Sequence, residues 1–246
     1  MTAAMGEASA RDFRRENGMA LAVAMMALAL MMALGVGLVL TTSAETMVAG
    51  NFSRRIESVH AADAGLERAL GDLAALPDWN LALSGAVRST FVDGPPSGLR
   101  TAPGGATIDL ARAQNEINCG QAAACTDTDM DAVTADRPWG SNNPRWQLYA
   151  YGSLADLLPG AAVASAYYVA VFIADDQSEN DNDPLRDAGN IEQSGAGVIT
   201  LRAEAFGARG AHAVVEATVA RVGPSGGPPG YTGEGGMRLL SWREVR

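Results

Sequence analysis

Lysine is absent from this chain. All 18 basic residues are arginine, and 28 acidic residues oppose them for a net charge of −10. That balance excludes an ordinary nucleic-acid binder, which needs a basic surface against phosphate. Histidine is almost absent: His60 falls on a predicted helix with nothing beside it to suggest a metal site, and His212 on a predicted strand. Cysteine is limited to Cys119 and Cys125, in Cys119-Gly-Gln-Ala-Ala-Ala-Cys125. This is not the CxxC spacing of a redox or zinc site, and outside the cytoplasm it reads as a small structural disulfide. Aromatic residues make up 6% while glycine numbers 28, a composition that suggests a loop-rich extracellular domain. No P-loop and no dinucleotide fingerprint occurs. Gly223-Pro-Ser225-Gly-Gly227 spells G-x-S-x-G, but a nucleophile elbow needs a strand before it and a helix after it. Here the motif lies in a glycine- and proline-rich linker. Paired carboxylates occur only in acidic loops, with no apolar pocket evident to raise one pKa. The chain is expected not to be an enzyme.

Charge and proline are missing where they matter most. Met19 to Leu40 contains neither, and the first proline is Pro77. A helix over Met19–Leu40 would span roughly 33 Å, enough for the hydrocarbon core of a bilayer. Being apolar all round, it cannot rest on a soluble surface. The run passes through Thr41, Thr42 and Ser43 without a stop signal, which predicts one helix from Met19 to Leu76, roughly 87 Å long. Arg11, Arg14 and Arg15 precede the apolar run, and the next basic residue is Arg54. This asymmetry keeps the N-terminus in the cytoplasm and sends the rest outward. Residues 1–18 are polar and read as disordered. Three readings compete for this leader: a cleaved signal peptide with small residues at Thr42-Ser43-Ala44, an uncleaved signal anchor, or a basic leader ending in glycine ahead of an uninterrupted apolar helix.

The third reading carries a resemblance. Arg14-Arg15-Glu16-Asn17-Gly18, followed directly by Met19 and the apolar run, resembles the class III leader of type IV pilins and pseudopilins. Ser43-Ala44-Glu45-Thr46-Met47-Val48-Ala49-Gly50-Asn51-Phe52 and Ala61-Ala62-Asp63-Ala64-Gly65-Leu66-Glu67-Arg68-Ala69 resemble the N-terminal module of PilX-type minor pilins. The likeness covers roughly residues 14–76. It implies cleavage by a prepilin peptidase between Gly18 and Met19, with methylation of the new N-terminus. It also implies a stay in the inner membrane before assembly, and pilin or minor-pilin subunits as partners. Most pilins carry glutamate at the fifth mature position; Val23 stands there in this chain, which is similar to pseudopilins at a filament tip.

Past the apolar run, Phe52, Ile56, Val59, Asp63, Leu66, Leu70 and Leu73 recur at steps of four and three, an amphipathic seam. The stripe is expected to pack on the protein's own sheet, between filament subunits, or both. Asp63 interrupts it and is expected to specify register, pair with an arginine or lie at the rim. Glu57, Glu67 and Asp72 read as solvated charges on the opposite face.

Pro77 ends the helix, and residues 77–144 read as an irregular connection with a short strand at Ala106–Leu110. Asp127, Asp129 and Asp131 alternate like an EF-hand start, but Ala132 and Pro138 replace the required glycine and glutamate, leaving a solvated acidic loop. Arg145–Tyr151, Val163–Ala174, Val198–Phe206 and Ala211–Val222 read as strands, the last two joined by Gly207–Gly210. Met237–Val245 reads as a returning edge strand beyond the Gly223–Gly236 linker. The fold class is α+β and pilin-like: a long N-terminal helix laid on an antiparallel sheet of four or five strands. The domains follow as a leader (1–18), an apolar half-helix (19–40), an amphipathic extension (41–76) and an extracytoplasmic β-rich domain (77–246).

One segment stands apart. Residues 175–187 hold six carboxylates and two asparagines. Such a loop supplies the oxygen ligands that calcium takes, and the cation relieves their mutual repulsion. Asp175, Asp181 and Asp183 are the expected ligands, calcium being the one cofactor expected. A solvated acidic loop is the plain alternative.

The expected function is a non-enzymatic minor pilin of a type IV pilus or related pseudopilus. It would act in filament assembly or initiation, at the tip or in adhesion, first in the inner membrane and then on the cell surface or in the periplasm. The alternative is a single-pass membrane protein whose external β domain binds calcium or another ligand and never polymerises.

Overall fold

The computed structural model describes residues 7–132, 138–158, 164–179, 181–187, 197–222 and 236–245. It contains two compact units, Met1–Ser53 and Arg54–Arg246. Helix α1 runs Glu7–Ala75 and contributes to both.

In the first unit α1 begins well inside the leader. Glu7–Gly18 is helical where its polarity suggested disorder. The segment is rich in Ala, Arg and Glu and lacks proline, so nothing local opposes a helix, and the isolated Gly18 costs only about 1 kcal/mol. Every residue from Met19 to Ala49 is exposed in this unit, and the span is long and apolar enough to cross a membrane. The polar stretch after Leu40 does not break the helix, because its hydroxyls turn inward. Thr41, Thr42, Ser43 and Thr46 donate to the carbonyls of Gly37, Leu38, Val39 and Thr42 at 2.8–3.0 Å. Each hydroxyl is thereby satisfied by its own helix, which lets it enter an apolar setting cheaply.

The second unit is built on one sheet. Strands β3 (Gln147–Ser153), β4 (Tyr168–Asp175), β5 (Val198–Phe206), β6 (His212–Val222) and β7 (Gly236–Val245) lie side by side in chain order, all antiparallel. The five-stranded meander matches the expected architecture, with β7 at the edge. Of the expected strand Val163–Ala174, Val163 lies outside the described residues, residues 164–167 precede the strand, and β4 begins at Tyr168. It is buried along its whole length, as the continuous apolar run Tyr168–Ala174 demands of a strand covered on both faces.

Side-chain alternation divides the sheet into two faces. Val169, Val171, Ile173, Leu201, Ala203, Val215 and Ala217 meet the helix, where Ala62, Leu66, Ala69 and Leu73 close the core. On the far side Tyr168, Phe172, Leu148 and Trp146 pack with Ile108 and Leu110. A small hairpin, β1 (Leu99–Thr101) and β2 (Thr107–Asp109), leads there into helix α3 (Leu110–Cys119). Helices α2 (Asn80–Leu83) and α4 (Asp127–Asp131) complete the segment expected to be irregular. α3 begins where Asp109 accepts the Arg112 amide N–H and ends at Gly120, with φ of 72°. Its Gln114 and Asn118 donate to the Trp146 carbonyl, and Asn118 accepts the Trp146 N–H, so the helix is hydrogen-bonded to the entry of β3. Cys119 and Cys125 form a disulfide just beyond α3.

The seam on α1 engages the sheet only in part. Leu66 and Leu73 are fully buried, and Val59 and Leu70 pack against them half-buried. Ile56 remains 42% exposed and Phe52, in the first unit, 66%. Polar contacts fasten the same helix. Asp63 accepts the indole N–H of Trp242 on β7 at 3.0 Å rather than pairing with an arginine. Arg55 pairs with Glu244 at 2.8 Å. Asp72 is not a free solvated charge: it accepts from Ser89, from the amide and hydroxyl of Thr90, and sits 3.4 Å from Arg68.

Beyond α3, the far face of the sheet is charged rather than apolar. Arg202 bridges Glu204 (2.7 Å) and Glu216 (2.9 Å), Arg243 adds to Glu216, and the His212 ring lies 3.2 Å from Glu204. Burial pushes the Glu204 carboxyl up, but the His212 ring and the Arg202 guanidinium outweigh it and hold the group below the ordinary glutamate value. A carboxyl depressed in the fold adds stability above its unfolded pKa of about 4.3 and loses that contribution as pH falls through the folded value. Glu204→Gln is expected to flatten the acid limb of Tm against pH below about 4.3, as thermal melts across that range would record.

Candidate functional site

The acidic segment after β4 is the part of the molecule with the most unusual chemistry. Asp175 is the last residue of β4, paired in register with Ile199 of β5. Its side chain is therefore set by the sheet rather than by a loop. From there the chain turns back. The Glu179 N–H donates to the Asp176 carbonyl at 3.0 Å, and Asn142 gathers the next residues. Asn142 donates to the carbonyls of Gln177 (3.1 Å) and Glu179, and accepts the Asn182 N–H at 3.2 Å. Asn182 takes a positive φ of 63°, a conformation that asparagine tolerates better than most residues. Asp187 closes the segment. Its N–H donates to the Asn80 side chain at 2.7 Å, and its carboxylate accepts the Gly197 N–H at 2.6 Å.

This path brings Asp175, Glu179 and Asp187 together. One carboxylate oxygen from each lies within 4.8 Å of the others, and the group could hold a metal ion. Of the expected ligands Asp175 belongs to the group, whereas Asp181 and Asp183 lie outside it. The Asp181 carboxylate instead accepts the Asp183 backbone N–H at 2.8 Å, a local turn contact. Glu179 and Asp187 were not singled out in the sequence. The signal available was the strand boundary: Asp175 ends an apolar run, and only carboxylates that fold back to its level can join it.

The electrostatics are severe. Asp175 is 3% exposed and Glu179 0%. Burial first, and the neighbouring Glu179 charge second, push the Asp175 carboxyl up to about 8. Asp187 is also raised, by burial, against the lowering pull of the Gly197 N–H and the Arg221 charge. Neither Asp175 nor Asp187 forms an ion pair among the described residues. Arg221 is committed elsewhere: it stacks over Trp79 with 4.4 Å to the ring centroid and donates to the carbonyls of Leu76 and Pro77.

The other sequence features have simpler places. Asp127 and Asp129 lie in the first turn of α4, where Thr126 and Asp129 form a reciprocal capping box, and Asp131 pairs with Arg145. Gly18 and Met19 sit within α1. The Gly223–Gly227 motif lies outside the described residues. No family model matches this chain, and neither does any curated protein or solved structure.

Proposed function

We propose that this protein is a non-enzymatic filament subunit of minor-pilin type, matured between Gly18 and Met19, held in the inner membrane by its apolar half-helix and then assembled with other pilin subunits. The observation that carries the reading is that one helix does two jobs. Its Met19–Leu40 stretch is exposed and apolar, with no partner in its own unit, while its Val59–Leu73 stretch forms one wall of the sheet's core. An apolar helix all of whose sides are open needs a lipid or helical environment to cover it. A bundle of like helices provides that cover outside the bilayer. The antiparallel sheet would then be carried on the outside of such a bundle.

The test is fractionation of the native host. The protein should appear both in the inner membrane and in extracellular filaments released by shearing, and Gly18→Leu should confine it to the membrane as a longer precursor. Its presence in the membrane alone, with the Gly18 variant indistinguishable from the unaltered protein, would instead support a single-pass tether that displays its β domain and never polymerises.

A further inference from the structure

We infer that Asp175, Glu179 and Asp187 form a binding site for a hard divalent cation, calcium by the number of its protein carboxylates, at the end of β4. Two buried acids and a half-buried third within 4.8 Å of one another crowd their oxygens where protons or a cation must neutralise them. The protein supplies hydrogen bonds to only part of this charge. Asp175 Oδ1 is buried and finds no hydrogen-bond donor among the described residues. A buried carboxylate oxygen left without a donor is costly and is normally paired or metal-bound. Arg221 acts on Asp187 through its charge, but its guanidinium donates to the Leu76 and Pro77 carbonyls and makes no ion pair with Asp187 among the described residues.

Ligand type and number select the ion. All three donors are carboxylates, which favour calcium, magnesium and manganese over softer metals. Calcium binds oxygen at about 2.3–2.6 Å, so oxygens on opposite sides of one ion can stand about 4.6–5.2 Å apart. The oxygens of this group lie within 4.8 Å of one another, close enough for one such ion to bridge them. Magnesium binds at about 2.0–2.1 Å in a strict octahedron, gives up its waters reluctantly and is usually held by only one or two carboxylates, so three protein carboxylates favour calcium. With three protein carboxylates, calcium completes its shell with water, which places the affinity in the range of extracellular modules, on the order of 10⁻⁴ to 10⁻³ M. Such a site loads at extracellular calcium levels and stays empty in a cytoplasm.

The framework around the group is made by hydrogen bonds independent of any ion. Asn142 holds the carbonyls of Gln177 and Glu179, Asn80 holds the Asp187 amide, and Gly197 donates to the Asp187 carboxylate. Cation binding would tie the end of β4 to Glu179 and Asp187 on the segment that follows it.

The test uses the full chain in non-ionic detergent, stripped with EDTA and titrated with CaCl2 or MgCl2. One calcium per chain is expected by equilibrium dialysis. A Tm rise of about 5–10 °C should follow once calcium reaches about 100 times its Kd, with little response to magnesium at the same concentration. Asp175→Asn should weaken calcium binding at least tenfold, and in EDTA it should melt no lower than the unaltered protein, because it relieves the crowding of acids at this point. Glu179→Gln should behave the same way and carries the test if Asp175→Asn does not fold. Asp127→Asn, in the α4 cap, should leave the calcium response intact. Absence of saturable calcium uptake, or uptake unaltered in both site variants, would overturn the site; an equal response to magnesium would overturn the choice of calcium.

Discussion

Gly65→Leu is expected to destabilise the β domain by more than about 3 kcal/mol, and Gly65→Ala by about 1–3 kcal/mol. Gly65 lies where α1 comes closest to the sheet. A Cβ there would stand 2.3 Å from Val169 Cγ1 and 3.5 Å from Val171 Cγ2. Val169 is completely buried on a strand covered on both faces, so it has nowhere to retreat. The helix itself would have to lift, opening the contacts of Leu66, Ala69 and Leu73. Alanine is the better helix former by about 1 kcal/mol, and that gain offsets only part of the clash. Gly71, two turns on in the same helix, is the control. Nothing lies within 4 Å of a Cβ there, so Gly71→Ala should stabilise by about 0.5–1 kcal/mol through helix propensity alone. Thermal melts of the full chain, followed by near-ultraviolet circular dichroism, separate the two by sign. Equal stability for Gly65→Ala and Gly71→Ala would contradict the packing of this helix on the sheet.

Trp79→Ala carries the second large effect, a loss of about 3–5 kcal/mol. Pro77 ends α1, and Trp79 folds back under its last turn. The ring is buried, its indole N–H donates to the Leu73 carbonyl at 3.1 Å, and the Arg221 guanidinium lies over it, 4.4 Å from the ring centroid. Arg221 also donates to the carbonyls of Leu76 and Pro77. The indole thus serves one of the acceptors that the last turn of α1 leaves open, and the guanidinium from β6 serves the two carbonyls just beyond it. Removing the ring opens a cavity, strips the cap and leaves Arg221 without its platform. Trp79→Phe keeps an aromatic surface and gives up only the indole hydrogen bond, for a loss of about 1 kcal/mol. The ratio of the two losses in one denaturation series checks whether packing or capping dominates. A loss from Trp79→Ala no larger than that from Trp79→Phe would contradict the packing role.

The contrast between legible and hidden parts of this chain follows from how far apart the determining residues lie. β5 was readable from Val198 to Phe206 because alternation in VITLRAEAF is a local property, and Gly207–Gly210 supplies its turn. The far-face network of Arg202, Glu204, Glu216 and Arg243 was present in the same letters, but its pairing depends on register across three strands. Helix α3 was missed although Asp109 and Gly120 bracket it with ordinary cap signals. Its weak apolar pattern is compensated by Gln114 and Asn118 reaching Trp146, a contact spanning about thirty residues. The acidic segment drew attention through its composition, and Asp175 was legible as the end of an apolar strand. Asp181 and Asp183 looked equally suitable because alternate spacing resembles a calcium loop. What selects Glu179 and Asp187 is the anchoring of the segment by Asn142, Asn80 and Gly197, none of which lies within it. Asp63 was ambiguous for the same reason, since its partner Trp242 is at the far end of the chain.

The central claim is that the helix serves first as a membrane anchor and then, after processing, as the core element of a filament. Mass and N-terminal sequence of the protein recovered from its native membranes and from sheared filaments test it most directly. The account predicts a chain that starts at Met19 and is heavier by one methyl group. A chain that retains Arg14, Arg15 and Gly18, or one that starts near Glu45, would contradict it.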